Sequence, residues 1–208
     1  RQEIMKKLTT FAVIALGSML LGAAPAQAAG LKIVTTTQDL ENIVKEVGGD
    51  KVEVESLAKG YQDPHFVEAK PSFILKLNRA DLLVAVGREL EIGWLPALIN
   101  QARNPKVQPG GNGYLDASAT AKILDVSTGA VTRAEGDVHP QGNPHYWLDP
   151  ENGRRIAKAV QVKLSQLDAA NAAVVAQREA DFERRMSEGE QRWKAAMAPY
   201  NGLKVVTY

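Results

Sequence analysis

The chain contains no cysteine. That absence excludes a disulfide framework, thiolate metal sites and a lipid-bearing cysteine behind a leader, so any metal must be held by nitrogen and oxygen. Histidine is scarce too, with three residues in 208. An excess of one charge is also missing: 25 Lys and Arg stand against 24 Asp and Glu, with no basic clusters. This balance leaves no electrostatic footprint for nucleic acid or an acidic membrane surface. Two hydrolase signatures are absent, a His-Glu-x-x-His run and a Gly-x-Ser-x-Gly elbow. No internal repeat is visible. The apolar run from Phe11 to Leu21 is shorter than the roughly 20 residues needed to span a bilayer.

That run has a different reading. After Arg1 to Ile4 comes Met5, then Lys6-Lys7, the apolar middle, and Ala26-Gln27-Ala28 before Ala29. A charged head, a greasy centre and a small-residue cleavage site make a secretory signal peptide over residues 1–28, with cleavage expected after Ala28. Removing Arg1, Glu3, Lys6 and Lys7 keeps the remainder near neutral. The 180 residues that follow suffice to bury a core and suggest one domain plus something more.

Strand and helix patterns alternate along the chain. Leu31 to Thr36 is β-branched, Leu40 to Val47 has helical spacing and ends at Gly48-Gly49, and Val52 to Val54 reads as a second strand. A helix is expected from Ser72 to Leu77, just after Pro71, and another from Leu90 to Ala102. Between them, Asp81 to Gly87 is the continuous apolar run of a strand buried on both faces. Tyr114 to Asp116 is a short fourth strand candidate. This order implies an α/β fold, a parallel sheet with helices on its faces. Residues 104–113 and 127–142 are Pro, Gly and polar stretches expected to be loops.

From Pro150 long helices take over. One is expected over Glu151 to Leu167 and a second over Ala169 to Ala198, roughly 45 Å long, with Val175, Phe182, Met186, Trp193 and Met197 on one stripe. A helix of that length exceeds the width of a small domain and is expected to bridge two bodies. Gly189 weakens it, Pro199 and Gly202 end it, and Lys204 to Tyr208 reads as a buried strand with no partner after it.

Two turns carry the chemistry: Asp63-Pro64-His65 and Asn143-Pro144-His145. Each sets an imidazole directly after a proline, whose locked φ stiffens the platform. His65 follows the second strand, where open parallel sheets bind ligands, and His145 precedes a helix. Two neutral imidazoles suit zinc, manganese, copper, iron or nickel, although two donors are too few for a closed site. The competing reading of each is a hydrogen-bonded loop histidine. His139, ahead of Pro140, is read as a solvated loop residue, contact with the metal being the alternative. Asp63 and Asp149 are either acceptors that orient the imidazoles or plain turn residues. Trp94, Trp147 and Trp193 are read as packing residues.

Several motifs occur in order: Gly60-Tyr61-Gln62-Asp63-Pro64-His65-Phe66-Val67-Glu68, Lys70-Pro71-Ser72, Ala80-Asp81-Leu82-Leu83-Val84, Glu91 to Leu95, and Gly142 through Pro150. Together they closely resemble the zinc and manganese solute-binding proteins of bacterial ABC importers, the cluster A-I family, from about Leu31 to Tyr208. The resemblance implies that His65 and His145 are the first and second metal ligands, both on an amino-terminal α/β lobe of residues 29–168. It makes residues 169–199 a backbone helix and residues 200–208 the first strand of a second α/β lobe that is almost entirely missing. The third ligand, a His or Glu, and a carboxylate fourth lie beyond Tyr208 in the family. Three histidines plus a carboxylate favour zinc, and replacing one imidazole by a carboxylate shifts preference toward manganese. Some zinc members of the family carry a His-rich acidic loop before the second ligand; here Ser127 to Gly142 contains only His139, so the resemblance does not extend to that recruiting device.

The function this implies is periplasmic capture of Zn2+ or Mn2+ as transported ligand and delivery to a membrane ABC permease, by a monomer without catalysis or an organic cofactor. The alternatives are a surface adhesin for cell adhesion on the same fold and a metal-dependent hydrolase.

Overall fold

Alternate residues of the Asp81 to Gly87 run face opposite sides, and both sides are apolar. Leu82, Val84 and Val86 enter one buried cluster while Leu83 and Ala85 enter another. A strand of this kind needs cover on both faces, and the computed structural model, which describes residues 30–126 and 139–206, supplies it. Four strands, β1 (Leu31–Thr35), β2 (Val52–Ser56), β3 (Leu82–Ala85) and β4 (Tyr114–Asp116), form a sheet ordered β2-β1-β3-β4. All pairings are parallel, with Ile33 between Val54 and Leu82. The α/β reading therefore holds, and the topological switch lies between β1 and β3.

Helices α1 (Gln38–Gly48), α4 (Pro150–Leu167) and α5 (Ala172–Met197) cover one face. Leu40, Val44, Ile156, Val160, Val175 and Phe182 pack there against Ile33, Leu82 and Val84. Helices α2 (Pro71–Arg79) and α3 (Leu95–Ala102) cover the other face, with Leu77, Leu95, Leu98 and Ile99 on Val34, Leu83 and Ala85. Thr37 caps α1, its hydroxyl accepting from the Leu40 N–H at 3.4 Å, and Pro71 opens α2 at a position needing no donor.

The expected helix from Leu90 begins only at Leu95. Pro96 has no N–H to return to the Ile92 carbonyl, and Leu90 to Trp94 wind instead as successive turns. Helix α5 runs unbroken through Gly189 for 26 residues, about 39 Å. Its apolar stripe is buried only in the first half: Val175 and Phe182 are covered, whereas Trp193 is 51% and Met197 61% exposed. Trp193 is thus not a packing residue within the described residues. The strand expected over 204–208 is also not formed in its described part: residues 204–206 pair with no other strand, and a lone strand cannot satisfy its backbone groups. The expected leader, residues 127–138 of the polar loop, and residues 207–208 lie outside the described residues. Among the described residues no helix is long and apolar enough to cross a membrane.

Leu83 is fully buried at the centre of the second cluster. Leu83→Ala is expected to lower unfolding free energy by about 2–5 kcal/mol in a denaturant titration, through lost transfer energy and the cavity left behind.

Candidate metal centre

His65 sits on a turn tied from several sides. The Asp63 Oδ1 accepts from the His65 backbone N–H at 2.9 Å and lies 2.7 Å from its ring Nδ1. Phe66 N–H closes the turn onto the Asp63 carbonyl at 3.1 Å, and the buried Trp94 donates its indole N–H to the Pro64 carbonyl at 2.9 Å. Trp94 is therefore a packing residue with a second job, fixing the turn.

His145 repeats the arrangement with one substitution. The Asn143 Oδ1 accepts from the His145 backbone N–H at 2.9 Å and stands 3.0 Å from its Nδ1. Of the two readings of Asp149, orienting acceptor or turn residue, the second fits: it caps α4, its Oδ1 accepting from the Glu151 N–H at 2.9 Å. Asn143 is the residue that sequence reading missed. Its signal was an Asx-Pro-His triplet occurring twice. Gly142, at φ +98°, brings the turn against the segment before it, where a Cβ would stand 2.4 Å from Ile123 Cγ2. Asn143 N–H then reaches the Leu124 carbonyl at 2.9 Å.

Behind this turn the sheet provides a rigid anchor. Tyr146, next to His145, donates its hydroxyl to the Val86 carbonyl at 2.6 Å. The Val86 N–H donates to Thr36 Oγ1 at 3.2 Å and to Glu91 Oε1 at 2.8 Å, while Glu91 Oε2 accepts from Gly87 N–H at 3.1 Å. Burial pushes the Glu91 carboxyl above the usual range, opposed by the Thr36 hydroxyl and these two N–H groups. Asn152, also buried, donates to the carbonyls of Tyr146 and Lys122, both at 3.0 Å.

The two turns bring their rings together at the carboxyl ends of the strands. His65 and His145 have ring centroids 5.3 Å apart, with Trp147 5.4 Å from His145. The acceptors fix the tautomers. An ionised Asp63 and the Asn143 carbonyl oxygen can only accept, so each ring, when neutral, carries its proton on Nδ1 and presents Nε2 as the lone-pair nitrogen. Asp63 is held below the usual carboxylate range first by the His65 backbone N–H and then by the His65 ring.

The third histidine is not solvated as expected. His139 is half-buried and its Nε2 lies 3.1 Å from His65 Nε2, the rings stacked at 5.2 Å. Its position follows from the anchored segment after it: Gly142 N–H bonds the His139 carbonyl at 2.9 Å, and Arg88 Nη1 donates to the Gln141 carbonyl at 3.1 Å. No sequence pattern announces this contact. Among the described residues no three His or carboxylate side chains are arranged to hold a metal ion as they stand.

Burial lowers the His145 pKa from its ordinary 6.5, and the neighbouring His65 and His139 rings add to the effect. An NMR titration of the metal-free chain is expected to place the His145 midpoint below 6.5. The sign for stability follows. The folded state binds this proton less readily than the unfolded one, so stability falls as pH drops from about 6.5.

Comparisons with known proteins agree with the fold. The crystal structure of ZnuA aligns with a TM-score of 0.67 at 23% identity, covering 82% of this chain and 61% of that one. The Mn-bound periplasmic metal binding protein from candidatus liberibacter asiaticus aligns at 0.59 with 18% identity, covering 80% and 54%. Among curated proteins, the manganese ABC transporter substrate-binding lipoprotein PsaA of Streptococcus pneumoniae is 31% identical over 169 residues, covering 80% of this chain and 51% of its own length. The metal ABC transporter substrate-binding lipoprotein FimA of Streptococcus parasanguinis is 28% identical over 200 residues, covering 94% and 61%. The chain thus spans about half to three-fifths of the length of these curated relatives. The family described as ZnuA, zinc-uptake complex component A, periplasmic, matches residues 33–208, and this chain belongs to that family.

Proposed function

We propose that this chain is the metal-capturing part of a periplasmic solute-binding protein that takes up a divalent transition metal, zinc ahead of manganese, and delivers it to an ABC permease. The observation that carries the reading is the pair of Asx-Pro-His turns. They bring two imidazoles to 5.3 Å with each Nδ1 held against a side-chain oxygen, which leaves the Nε2 atoms as the metal-facing nitrogens, that of His65 already in contact with His139. His65 and His145 are the metal ligands in this proposal, and Asp63 and Asn143 are the groups that aim them. The metal is cargo, and the mechanism is mass action with geometry. Neutral rings bind the ion while donors from a facing body close over it, and protonation of the rings opposes binding.

In the same reading residues 1–28 are a signal peptide and residues 29–168 the amino-terminal lobe. Helix α5, within residues 169–199, is the backbone linker, and residues 200–208 lead into a second lobe. The relatives' longer chains and their names, which include manganese and zinc-uptake proteins, support this assignment. Nitrogen donors on this lobe favour zinc as the borderline ion, and a carboxylate among the remaining donors would move the preference toward manganese. Delivery needs no bond to be made or broken, so no residue is given a catalytic role.

Calorimetric titration with zinc and manganese tests the proposal. Zinc is expected to bind more tightly than manganese. His65→Ala and His145→Ala are each expected to weaken zinc binding about a hundredfold or more, with circular dichroism unchanged. Asn143→Ala, which removes the Oδ1 acceptor together with the long amide contact to Asp125 and leaves both ligands in place, is expected to cost about 10- to 100-fold. Unaltered affinity in both histidine variants would remove the assignment.

A further inference from the structure

We infer that His139 is a third metal donor of this same lobe, so that an incoming ion is first held by three imidazoles before any other part of the protein closes on it. The inference rests on the proposed metal site at His65 and His145.

Its basis is a distance. Two ligands of one tetrahedral zinc, each bonded at about 2.0–2.1 Å, have nitrogens about 3.3 Å apart. His65 Nε2 and His139 Nε2 are already 3.1 Å apart. The tautomer argument says what occupies that gap without metal. His65 keeps its proton on Nδ1 against Asp63, so its Nε2 accepts, and His139 donates from its own Nε2. On metal binding that hydrogen bond is replaced. The His139 proton leaves Nε2, the neutral ring carries its proton on Nδ1, and both Nε2 atoms face the ion.

The backbone around His139 supports a built position. Gly142 N–H on the His139 carbonyl closes residues 139–142 into a turn, and Arg88 on the Gln141 carbonyl and Gln141 Nε2 on Glu89 Oε1 at 3.4 Å tie that turn to the loop after β3. His65 is the common neighbour, with His139 at 5.2 Å on one side and His145 at 5.3 Å on the other. The three rings do not yet surround one point. With the backbone anchored, side-chain torsions are the freedom that brings them round it.

The test uses zinc alone as the probe and the chain as it stands. His139→Ala is expected to reduce zinc affinity by about tenfold or more, with circular dichroism unchanged. X-ray absorption on the zinc-loaded protein is expected to count three imidazoles in the wild type and two in H139A. Unchanged affinity overturns the inference, and tighter binding does so by making His139 a plug on the His65 nitrogen. Weaker binding with an unaltered imidazole count also overturns it, by reducing His139 to an orienting neighbour. If neither H65A nor H145A weakens binding, the failure belongs to the underlying metal-site reading.

Discussion

An imidazole can offer a metal one nitrogen only when its other nitrogen keeps the proton and the ring is held in place. A single side-chain oxygen does both at each turn of this chain. Asp63 Oδ1 takes the backbone N–H and the ring Nδ1 of His65, and Asn143 Oδ1 does the same for His145. Proline between the two residues fixes φ, so few torsions remain to be ordered when an ion arrives. The two turns differ in charge. An anion stands behind His65 and a neutral amide behind His145, giving a site that approaches a cation with one compensating charge already in position.

Those turns would wander without the sheet. Val86, just beyond β3, has its N–H shared by Thr36 and Glu91 and its carbonyl taken by Tyr146. Four segments therefore meet at one residue: the end of β1, the end of β3, the turns before α3, and the turn that bears His145. Glu91 is 4% exposed, and a buried carboxylate that lost any of these partners would be costly. The network ties the histidine turn to the sheet at the carboxyl ends of strands, at a topological switch point.

Helix α5 is held to the same frame mainly by apolar packing of Val175 and Phe182. A hydrogen bond and ion pairs decorate that contact: Arg178 donates to the Glu46 backbone carbonyl at 3.1 Å, Arg185 pairs with the Glu46 carboxylate at 2.5 Å, and Arg154 with the Glu190 carboxylate at 2.8 Å. An exposed pair such as Arg185–Glu46 contributes only ~0–1 kcal/mol, so it sets the helix's register more than its stability. Past the packed half, Trp193, Met197 and Leu203 meet solvent.

Much of this was legible in the chain itself. The run from Asp81 to Gly87 specified a strand buried on both faces, the alternation of strands and helices specified a parallel α/β sheet, and two Asx-Pro-His triplets marked two stiff imidazoles, because each signal is local and follows from backbone sterics or side-chain periodicity. Local signals misled where a neighbour in space decided the outcome. Asp149 fitted either a histidine partner or a turn residue and caps a helix, while Asn143 took the partner role because its side chain reaches the residue two positions ahead. A strand over 204–206 had the right residues and no partner to pair with. The contact of His139 with His65, 74 residues apart, had no sequence signature at all. The sequence by itself determined which residues are stiff, apolar or able to bind. Only the tertiary structure decided which of them meet, because layer order and turn direction set distances that no pattern along the chain encodes.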